Sequence, residues 1–170
     1  MSNQRQQGGF LLIEALIAIL IFSLGILGMV AMGGAAVGAQ SDARFRNDAA
    51  ALTDEIANRM AVDAPRDLAP VPGPDLVLAG SLAAYQYQPV TGATPCAFSG
   101  GKSALPTVTN WIDLVRADGT GAHRLPGATR DTAQIAVDST AGFNQVSITI
   151  CWQGPNDSAQ RRHTLVTYIN

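Results

Sequence analysis

The chain has 170 residues, with Lys+Arg 11 against Asp+Glu 13 and a formal net charge of −2. A protein that neutralises many phosphates needs a basic surface, so that balance disfavours nucleic-acid binding as the main role. Charged residues are 14% of the chain, against roughly 25% in ordinary soluble domains. The deficit is local, because before Asp42 only Arg5 and Glu14 are charged. An apolar N-terminal piece joined to a polar remainder excludes a simple cytosolic enzyme and a disordered chain.

Residues 10–32 read FLLIEALIAILIFSLGILGMVAM, with Glu14 the only ionisable side chain. A helix needs about 20 apolar residues to cross a hydrocarbon core of about 30 Å. This run is long enough to span it with some tilt. Ahead of it lies a short polar leader, residues 1–9, whose one cation, Arg5, favours a cytoplasmic N-terminus. A secretory signal is the plainer alternative, with Val37, Gly38 and Ala39 as the small residues before a cut at Gln40. Against it, the run exceeds the about 7–15 residues of a signal core. An acid at membrane depth costs roughly 2.5–3.5 kcal/mol, and nothing in a discarded leader needs one.

The spacing gives the acid a use. A cut between Gly9 and Phe10 would leave an α-ammonium on Phe10, four residues before Glu14. Positions i and i+4 share a helix face, so ammonium and carboxylate could pair within a chain or between chains lying side by side. Pairing between chains would set axial register, as buried polar groups do in coiled coils.

Gly9-Phe10-Leu11-Leu12-Ile13-Glu14, followed by the apolar run, resembles the G-F-x-x-x-E signature that heads type IV prepilins and type II secretion pseudopilins. The resemblance implies cleavage after Gly9 by a prepilin peptidase and N-methylation of Phe10. It also implies that Glu14 guides the subunit into a helical filament.

Further along, Gly25, Gly28, Gly33, Gly34 and Gly38 fall in the helix interior, with Gly34 and Gly38 in G-x-x-x-G spacing. Two readings fit them: tight packing or local unwinding inside a filament, and glycine simply tolerated in a membrane span. Many major pilins carry a helix-kinking proline here, whereas this chain has no proline before Pro65. After Asp42 the pattern turns amphipathic, with Phe45, Ala49, Leu52, Ile56 and Met60 at spacings of 3 or 4. Glu55 and Arg59 form an i,i+4 pair in the favourable order. A helix from Phe10 to about Asp63 would be roughly 80 Å long, so its N-terminal half is expected to project while the second half packs into a head. Ala64-Pro65 ends it.

Residues 65–74 (PRDLAPVPGP) read as a stiff linker. Tyr85 to Pro89 reads as a short strand, and Val108 to Arg116 as a short helix with Trp111, Leu114 and Val115 on one face. Strands follow at Gln134 to Asp138, at Gln145 to Gln153 with Val146, Ile148, Ile150 and Trp152 on one face, and at Gln160 to Ile169. Gly142-Phe143-Asn144 and Gly154-Pro155-Asn156-Asp157 read as hairpin connections. The expected fold class is α+β: a long helix laid on a small antiparallel sheet. The expected division is a cleaved leader 1–9, a long helix 10–64, and a globular head 65–170.

The head resembles a narrower group. Asp48 to Met60 (DAAALTDEIANRM), Trp111, Leu125-Pro126-Gly127 and Ile150-Cys151-Trp152 look like the PilV minor pilins, the type IV pilus modification proteins. The second glycine usual after Leu-Pro-Gly is Ala128 here. This resemblance implies a low-abundance subunit that primes pilus assembly, sits at or near the tip, and supports adhesion and twitching motility. Implied partners are other minor pilins, the major pilin, a PilY-type tip adhesin, and the prepilin peptidase that also methylates. The implied location is the inner membrane of a Gram-negative bacterium, with the head in the periplasm, and then the pilus at the cell surface. A minor pseudopilin of a type II secretion system carries the same motif, and a secreted binding protein released after Ala39 is a third reading.

Cys96 and Cys151 are the only cysteines. Structural zinc wants four ligands, and His123 and His163 share no ligand-like spacing with them. In a periplasmic head the pair is expected to form a disulfide. No G-x-S-x-G elbow, P-loop or H-E-x-x-H is present, so neither enzyme activity nor a cofactor nor a metal is expected. Arg161-Arg162-His163 reads as a solvated strand end rather than a nucleic-acid patch, and Trp111 and Trp152 as core.

Overall fold

The computed structural model describes residues 8–65, 76–116, 125–140, 144–155 and 157–169, and only the backbone of residues 8–11 and 76. The leader residues 1–7, the linker after Pro65, His123, Gly142-Phe143 and Asn156 lie outside the described residues. The layout is α+β, as expected. The chain divides between Ala43 and Arg44 into two compact units.

Helix α1, Gly8–Asp63, has 56 residues and crosses that division. In the first unit the described apolar side chains, from Leu12 on, are all exposed, among them Leu16, Ile21, Leu27 and Met32. An 18-residue window there reaches a mean hydropathy of 2.7 with none of it buried within the chain. By length and composition this helix can cross a membrane.

In the second unit the expected stripe of α1 enters the core: Ala49, Leu52, Ile56 and Met60 are buried, and Phe45 packs half-buried beside them. Thr53 and Ala57 widen the stripe, and Thr53 satisfies its hydroxyl on the Ala50 carbonyl at 2.9 Å. On the outer side Arg59 Nη2 meets Glu55 Oε1 at 2.6 Å, the expected i,i+4 pair. A short helix α2, Leu76–Ala83, adds buried Leu78 and Leu82. Its eight residues carry glycine and serine at the centre, and the sequence reading did not find it.

A three-stranded antiparallel sheet in the order β3-β4-β5 is built from Ala133–Asp138, Gln145–Trp152 and Arg161–Tyr168. Its register pairs Ile135 with Ile148 and Ile148 with Leu165. Val146, Ile148, Ile150 and Trp152 are buried in β4, as alternation predicted. On the outward face Thr149 and Thr164 join hydroxyls at 3.0 Å and Gln145 donates to the Tyr168 hydroxyl at 2.9 Å. Each is a directly opposed cross-strand pair.

Two expectations are corrected. Tyr85 to Pro89 is not a strand, because Gln88 sits at φ 47 and turns the chain after a single residue of pairing. Tyr87 alone bridges Ile135 and Lys102. Buried amides replace the missing ladder: Gln88 Nε2 donates to the Arg130 and Ala133 carbonyls at 2.8 and 3.1 Å. Gln134 Nε2 donates to the Gln88 carbonyl at 3.1 Å. The pairing falls instead on β1, Val90–Thr91, and β2, Phe98–Ser99, a short antiparallel pair. Helix α3 runs Pro106–Val115, proline opening its first turn. Its buried face is Val108, Trp111, Ile112 and Val115; Leu114 is only half-buried, and Ile112 takes the place expected for it.

Candidate functional site

Gly9, Phe10 and Glu14 all lie in α1, so the backbone of Phe10 and Glu14 is separated by about one helical turn along one face. Glu14 is exposed. Positions 18, 21, 25, 28, 32, 35 and 39 follow it at alternating spacings of four and three. They carry Ala18, Ile21, Gly25, Gly28, Met32, Ala35 and Ala39. The side that bears the acid is therefore lined mostly by small residues. The opposite side carries Leu16, Leu20, Leu27, Val30 and Val37, with Ser23 closed onto the Ile19 carbonyl at 2.6 Å. A β-carbon added at Gly25, Gly28, Gly33, Gly34 or Gly38 would meet nothing within 4 Å. Nothing inside the chain requires these glycines, and α1 is helical through all five.

In the head, Cys96 and Cys151 form a disulfide that closes a sequence separation of 55. Cys151 stands on the same β4 face as Ser147 and Thr149, so the bridge clamps the Cys96 loop over the side of the sheet away from the main core. Cys96 adopts φ 69, a left-handed conformation costly for a residue with a side chain, held here by the bridge. Among the described residues no three His, Cys, Asp or Glu side chains gather to hold a metal.

The Leu125-Pro126-Gly127 run is a turn against the end of β4. The Gln153 amide donates to the Pro126 carbonyl at 2.9 Å, and Leu125 is fully buried. Gly127 has φ 67, and a β-carbon there would stand 3.2 Å from the Gln153 carbonyl oxygen. Ala128 is not among the residues of positive φ, so its backbone does not call for glycine at the position where the resembled group has its second glycine.

Arg161 is not part of a free basic patch. Its Nε and Nη2 donate to Asp157 Oδ2 and Oδ1, each at 2.8 Å, and the Gly154 amide donates to Asp157 Oδ2 at 3.1 Å. Asp157 thus clasps the β4–β5 turn, a role the sequence reading missed. The Arg161 guanidinium holds its carboxyl below the usual value, against an opposing effect of burial and with help from the Gly154 amide. Trp111 and Trp152 are core, as expected, each 1% exposed. Trp111 Nε1 donates to the Leu52 carbonyl of α1 at 2.8 Å. Trp152 Nε1 is buried with no hydrogen-bond partner among the described residues.

No family model, curated protein or solved structure matches the chain.

Proposed function

We propose that the chain is a pilin-like filament subunit, inserted in a membrane by α1 and carrying its head outside. Within that class we propose a minor type IV pilin of the PilV kind, which helps prime pilus assembly and sits at or near the tip. The observation that carries the reading is the first part of α1: a helix whose described apolar side chains are unburied within the chain, led by Gly9-Phe10 with Glu14 one turn on. Such a surface is stable only in lipid or among other helices. The acid on its small-residue side gives a helix neighbour both room to approach and a charge to meet.

In this mechanism the prepilin peptidase cuts after Gly9 and methylates the Phe10 amine, with the protein in the inner membrane of a Gram-negative cell and its head in the periplasm. The Glu14 carboxylate of an incoming subunit then meets the Phe10 ammonium of a neighbour, and the subunit leaves the bilayer for the filament. Other minor pilins, the major pilin and a PilY-type adhesin would be its neighbours, and adhesion and twitching motility the processes served.

Mass spectrometry of the mature protein tests the reading. The expected N-terminus is N-methylated Phe10, and Gly9→Val should leave uncut precursor in the membrane. A mature chain beginning at Gln40 would instead mark a cleaved secretory signal. Recovery with sheared surface pili separates the pilus role from that of a secretion pseudopilin, which would leave pili intact and reduce protein export when deleted.

A further inference from the structure

A cleft of about 160 Å³ lies beside α3, lined by Tyr87, Lys102, Ser103, Thr109, Ile112 and Arg130. Its residues come from the Tyr87 bridge, the segment after β2, α3 and the turn before β3. Tyr87 and Ile112 are buried, 4% and 2% exposed, and form an apolar floor. The Lys102 and Arg130 side chains are about half exposed and form a cationic rim. Lys102 Nζ stands 5.9 Å from the Tyr87 ring centroid.

The polar groups around the cleft are mostly donors. Lys102 donates to Asp131 Oδ1 at 2.7 Å and Arg130 Nη2 to Asp113 Oδ1 at 3.1 Å. An ammonium has three donors and a guanidinium five, so most of theirs are unspent in these bonds. The Tyr87 hydroxyl has no hydrogen bond among the described residues, and burial raises its pKa, which keeps the proton on. Thr109 Oγ1 spends its proton on the Pro106 carbonyl at 3.2 Å, and Ser103 Oγ donates to the Ala84 carbonyl at 2.7 Å while accepting from the Leu105 amide at 3.2 Å. The lone pairs left on these two hydroxyls are outnumbered by the remaining donors of Lys102, Arg130 and Tyr87. A donor-rich cleft with an aromatic floor matches a group that only accepts, which is a carboxylate.

Size narrows the occupant. Small-molecule pockets run to about 300–1,000 Å³, so the cleft has room for one side chain rather than a whole metabolite. It does not end there, because Lys102 and Ser103 also border a second, more open depression of about 300 Å³ walled by Ala83, Ala84, Gln86, Pro89 and Gly101. A charged cleft continued by a shallow one with little side-chain bulk in its walls offers a track for an extended chain. We propose that this groove docks an extended segment of a partner protein, seating one Asp or Glu side chain between Lys102, Arg130 and the Tyr87 hydroxyl. Asp131 and Asp113 compete with that carboxylate for the same cations, so the partner's acid displaces an internal ion pair rather than meeting a bare charge. The proposal stands whether or not the chain is a pilin.

The test uses the full chain in detergent micelles, labelled at threonine amides and isoleucine methyls, and titrated with Ac-Ala-Glu-Ala-NH₂. Thr109 and Ile112 should shift saturably, with a Kd on the order of 1 mM, while Thr149 and Thr164 stay still. The Gln counterpart peptide should bind at least tenfold more weakly, and so should the Glu peptide to Lys102→Gln/Arg130→Gln protein. Asp131→Asn should tighten binding severalfold by removing the competitor, an outcome that a merely structural role for Asp131 would not produce. Equal binding of the Gln peptide, no saturable shift, or an unchanged Kd in the double variant would overturn the proposal. Glutarate binding as tightly as the Glu peptide would overturn the peptide track in favour of a small free acid.

Discussion

Trp111 and Trp152 fill the core to the same extent and differ in one atom each. The Trp111 indole N–H has the Leu52 carbonyl of α1, so Trp111→Phe removes a made hydrogen bond. The Trp152 N–H is buried without a partner among the described residues, so Trp152→Phe removes an unsatisfied donor, a group that costs about 1–3 kcal/mol to bury. Trp111→Phe should therefore destabilise the head more than Trp152→Phe, by about 2 kcal/mol, read from urea midpoints. With two tryptophans in the chain, the fluorescence of the one left reports each variant. Asp157 supplies a pH dependence. Its carboxyl is held low by Arg161, so the folded state favours the ionised form. That contribution is fully present above the unfolded value of about 3.9 and is lost as pH falls through the lower folded value. Exchange of the Gly154 amide, which donates to Asp157, should speed up in that acid window. In Asp157→Asn protein the exchange should be faster at neutral pH and lose the acid step.

At the level of elements, the bridge between Cys96 and Cys151 ties the β1–β2 region to β4. Closing a loop of 55 residues restricts the unfolded chain by about 4 kcal/mol in the entropic model. Replacing both cysteines by serine should lower head stability by up to that amount in a denaturant titration, with α1 and the β3-β4-β5 order retained. These elements differ in how far their own residues specify them. The Phe45 to Met60 stripe and the Val146 to Trp152 alternation repeat over several turns or residues, so period alone revealed both the element and its buried face. Helix α2 is too short for a period to emerge. The segment through Gln88 is shaped by buried amides reaching residues more than 40 positions away, a non-local cause that no window of sequence contains. In α3 the period was read but one member of its face was misassigned, Leu114 for Ile112, because both are aliphatic and both neighbour the Trp111–Val115 stripe. The Glu14 motif is local, so its residues and their i,i+4 spacing can be read without the fold, while its role stays a proposal. The Lys102–Arg130 cleft draws on four separate segments and was not.

For the whole molecule the sharpest prediction concerns Glu14, the only charge in the apolar run. Under the pilin reading, Glu14→Val should insert normally, since it removes an insertion penalty, and should still be cut after Gly9. It should fail to enter filaments, because a neighbour's Phe10 ammonium would be left uncompensated among apolar helices. Blotting sheared pili checks this: processed mutant protein at the wild-type level there would refute the register role. The disulfide also has a mechanical meaning. A pull applied between α1 and the end of β5 can unravel the head, but the 55-residue interval closed by Cys96–Cys151 cannot pay out while the bridge holds. That interval contains α3, β3 and nearly all of β4, together with Lys102 and Arg130 of the cleft. At about 3.3–3.6 Å per residue, it withholds roughly 180–200 Å of extension. In an optical trap, adding reductant should lengthen the unfolded contour by that amount, so that oxidation sets how far a subunit under tension can give.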